Sequence, residues 1–344
     1  MAWLKGIRTG GYVEINDNVR FMKRIDSKYV NPWSVVRFVD GDDGVDTNNG
    51  LLPTKAYKTI QTAITASAKE DVIYVRPKNW TSLPYSYPGL NTAYAESCSI
   101  VYAKQGLSII GIANQSAKGV PHGVVIRETA SAITANMKVY APLCSFENLA
   151  FERGGTETGG QLVFQGGTAT TYEGNAATVY NCYFYNGNGT TGPGGWGGGV
   201  MADQIWGLTV DNCYFLGCRV GIAFQSGGAT AGSFVARNNW FGSRNLTPTE
   251  IDADIFAYMQ GAANLLIAGN YFAHLIPVLS GGAILKWVTV TGDVRQGLVA
   301  NNYCGGVVGT NYTVGVAGTG ISVPANVGIA GNYGNNKIMA STTP

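Results

Sequence analysis

The chain has 344 residues and a formal net charge of +2 at pH 7, with only 13% of its residues charged. So balanced a charge leaves no electrostatic footprint for nucleic acid or an anionic membrane surface. An apolar share of 45%, with 48 glycines and 11% aromatics, excludes a disordered chain and predicts a core with many tight turns.

The opening MAWLKGIRTGG holds no apolar run long enough for a secretory signal, so a protein made in a cytosol is expected. No apolar stretch reaches the ~18 residues that a membrane-spanning helix needs. Residues 1–36 carry Trp3, Phe21, Trp33 and several Lys and Arg. They read as an extended arm that docks on a partner, or as a strand packed on the protein's own first layer.

From Arg37 the sequence RFVDGDDGVDTNNG places Asp40, Asp42, Asp43 and Asp46 in one loop. Four carboxylates could hold calcium, but the EF-hand spacing fails, and Asp and Asn are also good turn formers. Tyr57, Ile60, Ala63 and Ile64 then give an apolar stripe, which predicts a helix near 54–69. The run DVIYVRP after it reads as a strand.

The C-terminal two thirds repeat. NCYF at Tyr183 and Tyr214 is followed by NNWF at Trp240, GNYF at Tyr271, NNYC at Tyr303 and GNYG at Tyr333, at intervals of 31, 26, 31, 32 and 30 residues. Each copy follows a short β-branched stretch. CSFENLAF at Cys144 to Phe151 is a weaker copy, and GLSIIGIAN at Gly106 to Asn114 a degenerate one. A period of 20–50 residues marks a repeat architecture, and short alternating strands ending in Asn or Gly suit one coil of a solenoid per repeat. Stacked coils put Val179, Val210 and Ile267 in one inward column, and Phe184, Phe215, Phe241 and Phe272 in another. Asn or Gly between them suits a bend with positive φ, and stacked Asn side chains can hydrogen-bond along the ladder.

YNGNGTTGPGGWGGGV, Tyr185 to Val200, breaks the repeat and reads as a loop with Trp196 at its tip. Trp196 and Tyr185 are candidate contacts for a glycan or a neighbouring subunit; the alternative is a loop folded back on its own surface. In EIDADIF, alternation puts Glu250, Asp252 and Asp254 outward and Ile251, Ala253 and Ile255 inward. The three acids are either a solvated strand face or the carboxylate pair of a glycosidase, which needs two such groups ~5–9.5 Å apart. Glu147 and Glu152 fall on different faces by parity.

The six cysteines, Cys98, Cys144, Cys182, Cys213, Cys218 and Cys304, form no CxxC pair, and His122 and His274 stand far apart. Neither zinc nor a catalytic triad is expected. Cys182 and Cys213 are adjacent in the stack; a disulfide is conceivable, and a ladder of free thiols is the expected state.

The repeats, together with the acidic loop, helix and first strand of Arg37 to Pro77, resemble the right-handed parallel β-helix of the pectin-lyase-like group. The resemblance implies an all-β solenoid over 37–344 whose helix caps the open end, preceded by the arm at 1–36. It carries over no catalytic residue. The nearest string to the pectate lyase WIDH is DQIWG at Asp203 to Gly207, which does not match. Of the polygalacturonase motifs only GDD occurs, at Gly41 to Asp43, ahead of the helix. No cofactor and no metal are implied. The resemblance points to a non-enzymatic bacteriophage virion protein: a homotrimeric capsid decoration protein or head spike, anchored by its arm to a major capsid or other virion protein, with host surface glycans as a further contact. A tail spike with polysaccharide depolymerase activity and a bacterial surface adhesin are the alternatives.

Overall fold

The computed structural model describes residues 12–15, 19–22, 34–78, 93–112, 123–127, 135–152, 160–165, 176–185, 198–218, 220–226, 232–242, 253–274, 287–306, 321–334 and 337–338. Within these the chain is a parallel β-helix with three faces. Each coil runs through face C, turns into face A, and turns again into face B.

One coil shows the scheme. Leu162–Gln165 lies on face C, Ala177–Tyr180 on face A and Tyr183–Tyr185 on face B. The next coil repeats it with Gly198–Ile205, Gly207–Asp211 and Tyr214–Leu216. The strands of these coils pair in parallel with their counterparts one coil on, so Val179 sits on Val210 and Phe184 on Phe215. Further along, Ile255–Ala268 and Val288–Ala300 each run through face C and face A without a break, joining these two faces into one 16-stranded sheet. Face B is a separate 10-stranded sheet.

The inward columns form as the period predicts. On face A, Ile73, Ile109, Phe146, Val179, Val210, Ala236, Ile267, Val299 and Ile329 lie in register. On face B, Phe151, Phe184, Phe215, Phe241 and Phe272 stack with ring centroids 4.9–5.2 Å apart and near-parallel planes. The coil rise of ~4.8 Å fixes that spacing. Both degenerate copies are true coils: Ser108–Gly111 and Ser145–Glu147 pair within face A.

The corner from face A to face B explains the Asn and Gly signature. Asn148, Asn181, Asn212, Asn238 and Asn301 have φ of 50–57°, and Gly269 and Gly331 take 65° and 58° at the same place. Asn tolerates this left-handed bend better than other side chains do. The next residue points inward, and there Asn239, Asn270, Asn302 and Asn332 form a buried ladder. The Oδ1 atoms of Asn270, Asn302 and Asn332 each accept the backbone N–H and an Nδ2 hydrogen of the Asn one coil below, at 2.9–3.0 Å, and that of Asn239 accepts the Cys213 N–H at 2.8 Å. Each Nδ2 also reaches a backbone carbonyl, as Asn270 does on Ala236 at 3.0 Å. Cys182 and Cys213 occupy this position in the two coils where the motif reads NC, and the Cys182 N–H lies 3.4 Å from the Cys213 Sγ. All six cysteines are free and buried, so the thiol ladder, not the disulfide, is what forms. Burial pushes up the pKa of the Cys144 thiol, to about 12, and that of the Cys213 thiol, which keeps both neutral.

The helix Ile60–Ala66 is shorter than the predicted 54–69; Pro53–Lys55 is a separate 3-10 turn. Its stripe is as expected, with Tyr57, Ile60, Ala63 and Ile64 buried. Thr59 caps it by accepting the Thr62 N–H, and Glu96 accepts the Ile60 and Gln61 N–H groups at 3.0 Å, satisfying donors a helix start leaves open. Gln61 closes the first edge of face C: its Oε1 accepts the Ser99 N–H at 2.8 Å and its Nε2 donates to the Ser99 carbonyl. A side-chain amide thus stands in for the missing neighbouring strand, an edge that would otherwise invite pairing.

Toward the N-terminus Tyr12–Ile15 and Val19–Met22 pair with each other in antiparallel fashion. The four-residue strand Val36–Val39 then opens face A.

Candidate functional site: an outer aromatic strip

The acidic candidates resolve into scaffold. Asp40 accepts the Asp42 and Asp43 N–H groups and pairs with Arg76. Asp46 accepts the Lys58 and Thr59 N–H groups at 2.9 Å, fixing the helix start. The loop is a hydrogen-bonded turn, and among the described residues no group of three His, Cys, Asp or Glu could hold a metal. The parity reading of Glu147 and Glu152 assumed one extended strand; the bend at Asn148 breaks it, so both point outward, Glu147 from face A and Glu152 from face B, where Glu152 forms a buried pair with Arg127.

The outward reading of Asp254 is overturned. Asp254 is 2% exposed, buried along with its neighbours Ala253 and Ile255. The strand begins only at Ile255, so the alternation assumed for EIDADIF does not extend over the acid. Glu250 and Asp252 lie outside the described residues, as do Trp196 and His122; of His274 only the backbone, within Tyr271–His274, is described. Tyr185 is half-buried at the end of its strand, stacked on Tyr183 at 6.5 Å, with its carbonyl accepting from Gln161 Nε2 at 2.6 Å.

The outer surface of face B carries a column of aromatic side chains. The residue before each inward Phe points outward, so Tyr183, Tyr214, Trp240, Tyr271, Tyr303 and Tyr333 form one column, in register coil by coil. Ring centroids lie 6.2 Å apart for Tyr183 and Tyr214, 5.1 Å for Tyr214 and Trp240, and 4.6 Å for Tyr271 and Tyr303. Exposure grows along the column, from 4% at Tyr183 to 42%, 37% and 45% at Tyr271, Tyr303 and Tyr333. The signal was in the repeat itself: the Y or W of NCYF, NNWF and GNYF was used only to align copies, yet its parity opposite to Phe marks it as outward.

Geometry limits what the strip can do. Its rings stack on one another along the axis, so their faces are largely occupied and their edges point out. An edge-on row of phenols suits apolar contact along its flanks and hydrogen bonds at its rim more than stacking of a sugar on a ring face.

No family model matches the chain, and no curated protein matches it. Among solved structures, the GH136 lacto-N-biosidase from Eubacterium ramulus is similar at a TM-score of 0.41 and 10% identity, over 87% of this chain and 67% of that one. At that level of likeness the fold of this chain rests on its own strand register, and the substrate named for that enzyme is a property of that enzyme.

Face C carries one further carboxylate, missed in the sequence because DQIWG was weighed only as a motif. Asp203 lies in an outward column between Gln165 and Gln225, with Tyr258 one coil further on and the exposed Trp206 just past it in sequence. Burial raises its pKa. A carboxyl whose folded pKa lies above its unfolded value stabilises most below the unfolded value, and that contribution is lost as pH rises through the folded one. Asp203→Asn is therefore expected to flatten the decline in melting temperature just above the usual carboxylate range. An unchanged slope would assign that decline to other groups.

Proposed function

We propose that this chain is a non-enzymatic structural protein of a bacteriophage particle, a homotrimeric β-helix that decorates the capsid or forms a head spike. The observation that carries the reading is the charge-free outer strip along a rod built for rigidity. A surface with little charge and a row of exposed aromatics is the kind that another chain covers. The interior fits a load-bearing role: parallel pairing ties coil to coil, with stacked Phe in the middle coils and the Asn ladder in the last ones, so stability adds up coil by coil. The carboxylates Asp40, Asp46, Glu96, Glu152 and Asp211 are engaged in turns, helix capping or ion pairs. Attachment to a capsid or other virion protein is assigned to the segment 1–36, ahead of the solenoid.

Light scattering of the purified full chain is expected to give a mass three times the 36.3 kDa of one chain. A monomer at micromolar concentration would overturn the trimer.

One observation favours a second reading, a tail spike that degrades polysaccharide: the half-buried Asp203 between two Gln side chains. Release of reducing ends from a host surface glycan, abolished by Asp203→Asn, would establish it. Inertness of the wild type across a broad glycan panel would remove it.

A further inference from the structure

We infer that a second copy of this chain docks on the edge between faces A and B over the last three coils, each copy setting its face A flank against the neighbour's face B flank. The inference rests on the trimer reading and locates its interface.

The outer columns of face A change character along the rod. The first reads Ser108, Ser145, Thr178, Thr209 in the early coils, then Val235, Leu266, Leu298 and Gly328. The second reads Glu147, Tyr180, Asp211, Arg237, then Ala268, Ala300 and Ala330. The last charges in these columns are Asp211 and Arg237, which pair with each other at 2.9 Å. Beyond them the segments 264–274, 296–304 and 327–334 contain no Asp, Glu, Lys or Arg. In these same coils the face B column becomes most exposed, at Tyr271, Tyr303 and Tyr333, and Leu298 is 41% exposed on face A. Only the two bend residues separate Ala268 from Tyr271, so the two flanks meet at one edge.

The occupant follows from the repeat. Over these three coils the face B flank presents a Tyr in each and the face A flank an Ala in each, with Leu266 and Leu298 beside it in the first two, all spaced by the coil rise of ~4.8 Å. A second copy with a parallel axis offers the same repeat, so all three coils match at once. The two flanks differ, with Leu and Ala on one and edge-on Tyr on the other. A contact of one on the other is heterologous, the type that closes into a ring about a cyclic axis. Tyrosine suits such a place, apolar along the ring and polar at the rim.

Hydroxyl-radical footprinting of the wild-type chain tests this without a variant. Tyr180 and Tyr271 are equally exposed in the single chain, at 42% each. In the trimer Tyr271, Tyr303 and Tyr333 are expected to be labelled several-fold more slowly than Tyr180. A trimer that labels all four alike overturns the interface and leaves the trimer standing; a monomer overturns both. A monomer that gains protection at these tyrosines only with added neutral polysaccharide makes the strip a glycan platform and overturns the inference. As a second arm, Tyr303→Arg and Leu298→Arg are each expected to give a folded monomer by circular dichroism and light scattering. Thr209→Arg, in the same column as Leu298 but in an early coil, should remain trimeric; dissociation by all three alike would count against a localised edge.

Discussion

Phe215→Ala is expected to destabilise the rod by about 3–5 kcal/mol, the range for removing a fully buried aromatic side chain. Phe215 lies between Phe184 and Phe241 with both ring centroids at 4.9 Å and planes within 8° of parallel, so truncation empties the middle of the stack. The neighbours have little room to collapse into the space. Their positions are pinned by parallel pairing to the coils above and below, at Phe184↔Phe215 and Phe215↔Phe241. The surroundings are shaped to the ring: a Cβ built on Gly199 would come within 2.8 Å of Phe215 Cδ1. Phe215→Leu, which keeps most of the volume, should lose less. Urea midpoints of the three proteins decide it. A loss below about 1 kcal/mol for the Ala variant would mean that the stack relaxes and that the ring is not a structural pin.

Much of this architecture was legible because a solenoid writes each structural position several times. The inward Val and Phe columns, the bend at Asn or Gly and the stacking Asn side chains all followed from aligning six short motifs. What stayed illegible has physical causes. Asp254 was misplaced because period-two alternation holds only inside a strand, and the strand starts one residue later. The helix was drawn too long because Pro53 and the residues after it form a separate turn before Thr59 caps the helix. The outer Tyr column was visible as letters but not as a surface, since burial by neighbouring chain, which takes Tyr183 to 4% and leaves Tyr333 at 45%, is a property of the fold. The Gln61 plug on Ser99 joins residues 38 apart in sequence and has no local signal.

Asn270→Ala is expected to weaken the rod by more than its small change in volume suggests. Asn270 is 1% exposed and makes four ladder contacts through its side chain. Its Oδ1 accepts the Asn239 backbone N–H and an Asn239 Nδ2 hydrogen, both at 3.0 Å. Its Nδ2 donates to the Ala236 carbonyl at 3.0 Å and to Asn302 Oδ1 at 2.9 Å. Alanine leaves the Asn239 N–H with no acceptor in a place closed to water, and takes one hydrogen bond from the Asn239 amide and one from the Ala236 carbonyl. A buried donor left unpaired costs about 1–3 kcal/mol, so the two orphaned Asn239 hydrogens together set a loss of about 2–6 kcal/mol. Asn270→Cys should fall between Ala and wild type, because the protein already places Cys213 at the equivalent position, where its sulfur lies 3.4 Å from the Cys182 N–H. Amide hydrogen exchange separates this mechanism from simple loss of packing. The Asn239 amide should exchange faster in the Ala variant than amides at the same depth in earlier coils, and uniform acceleration along the rod would sink the ladder account.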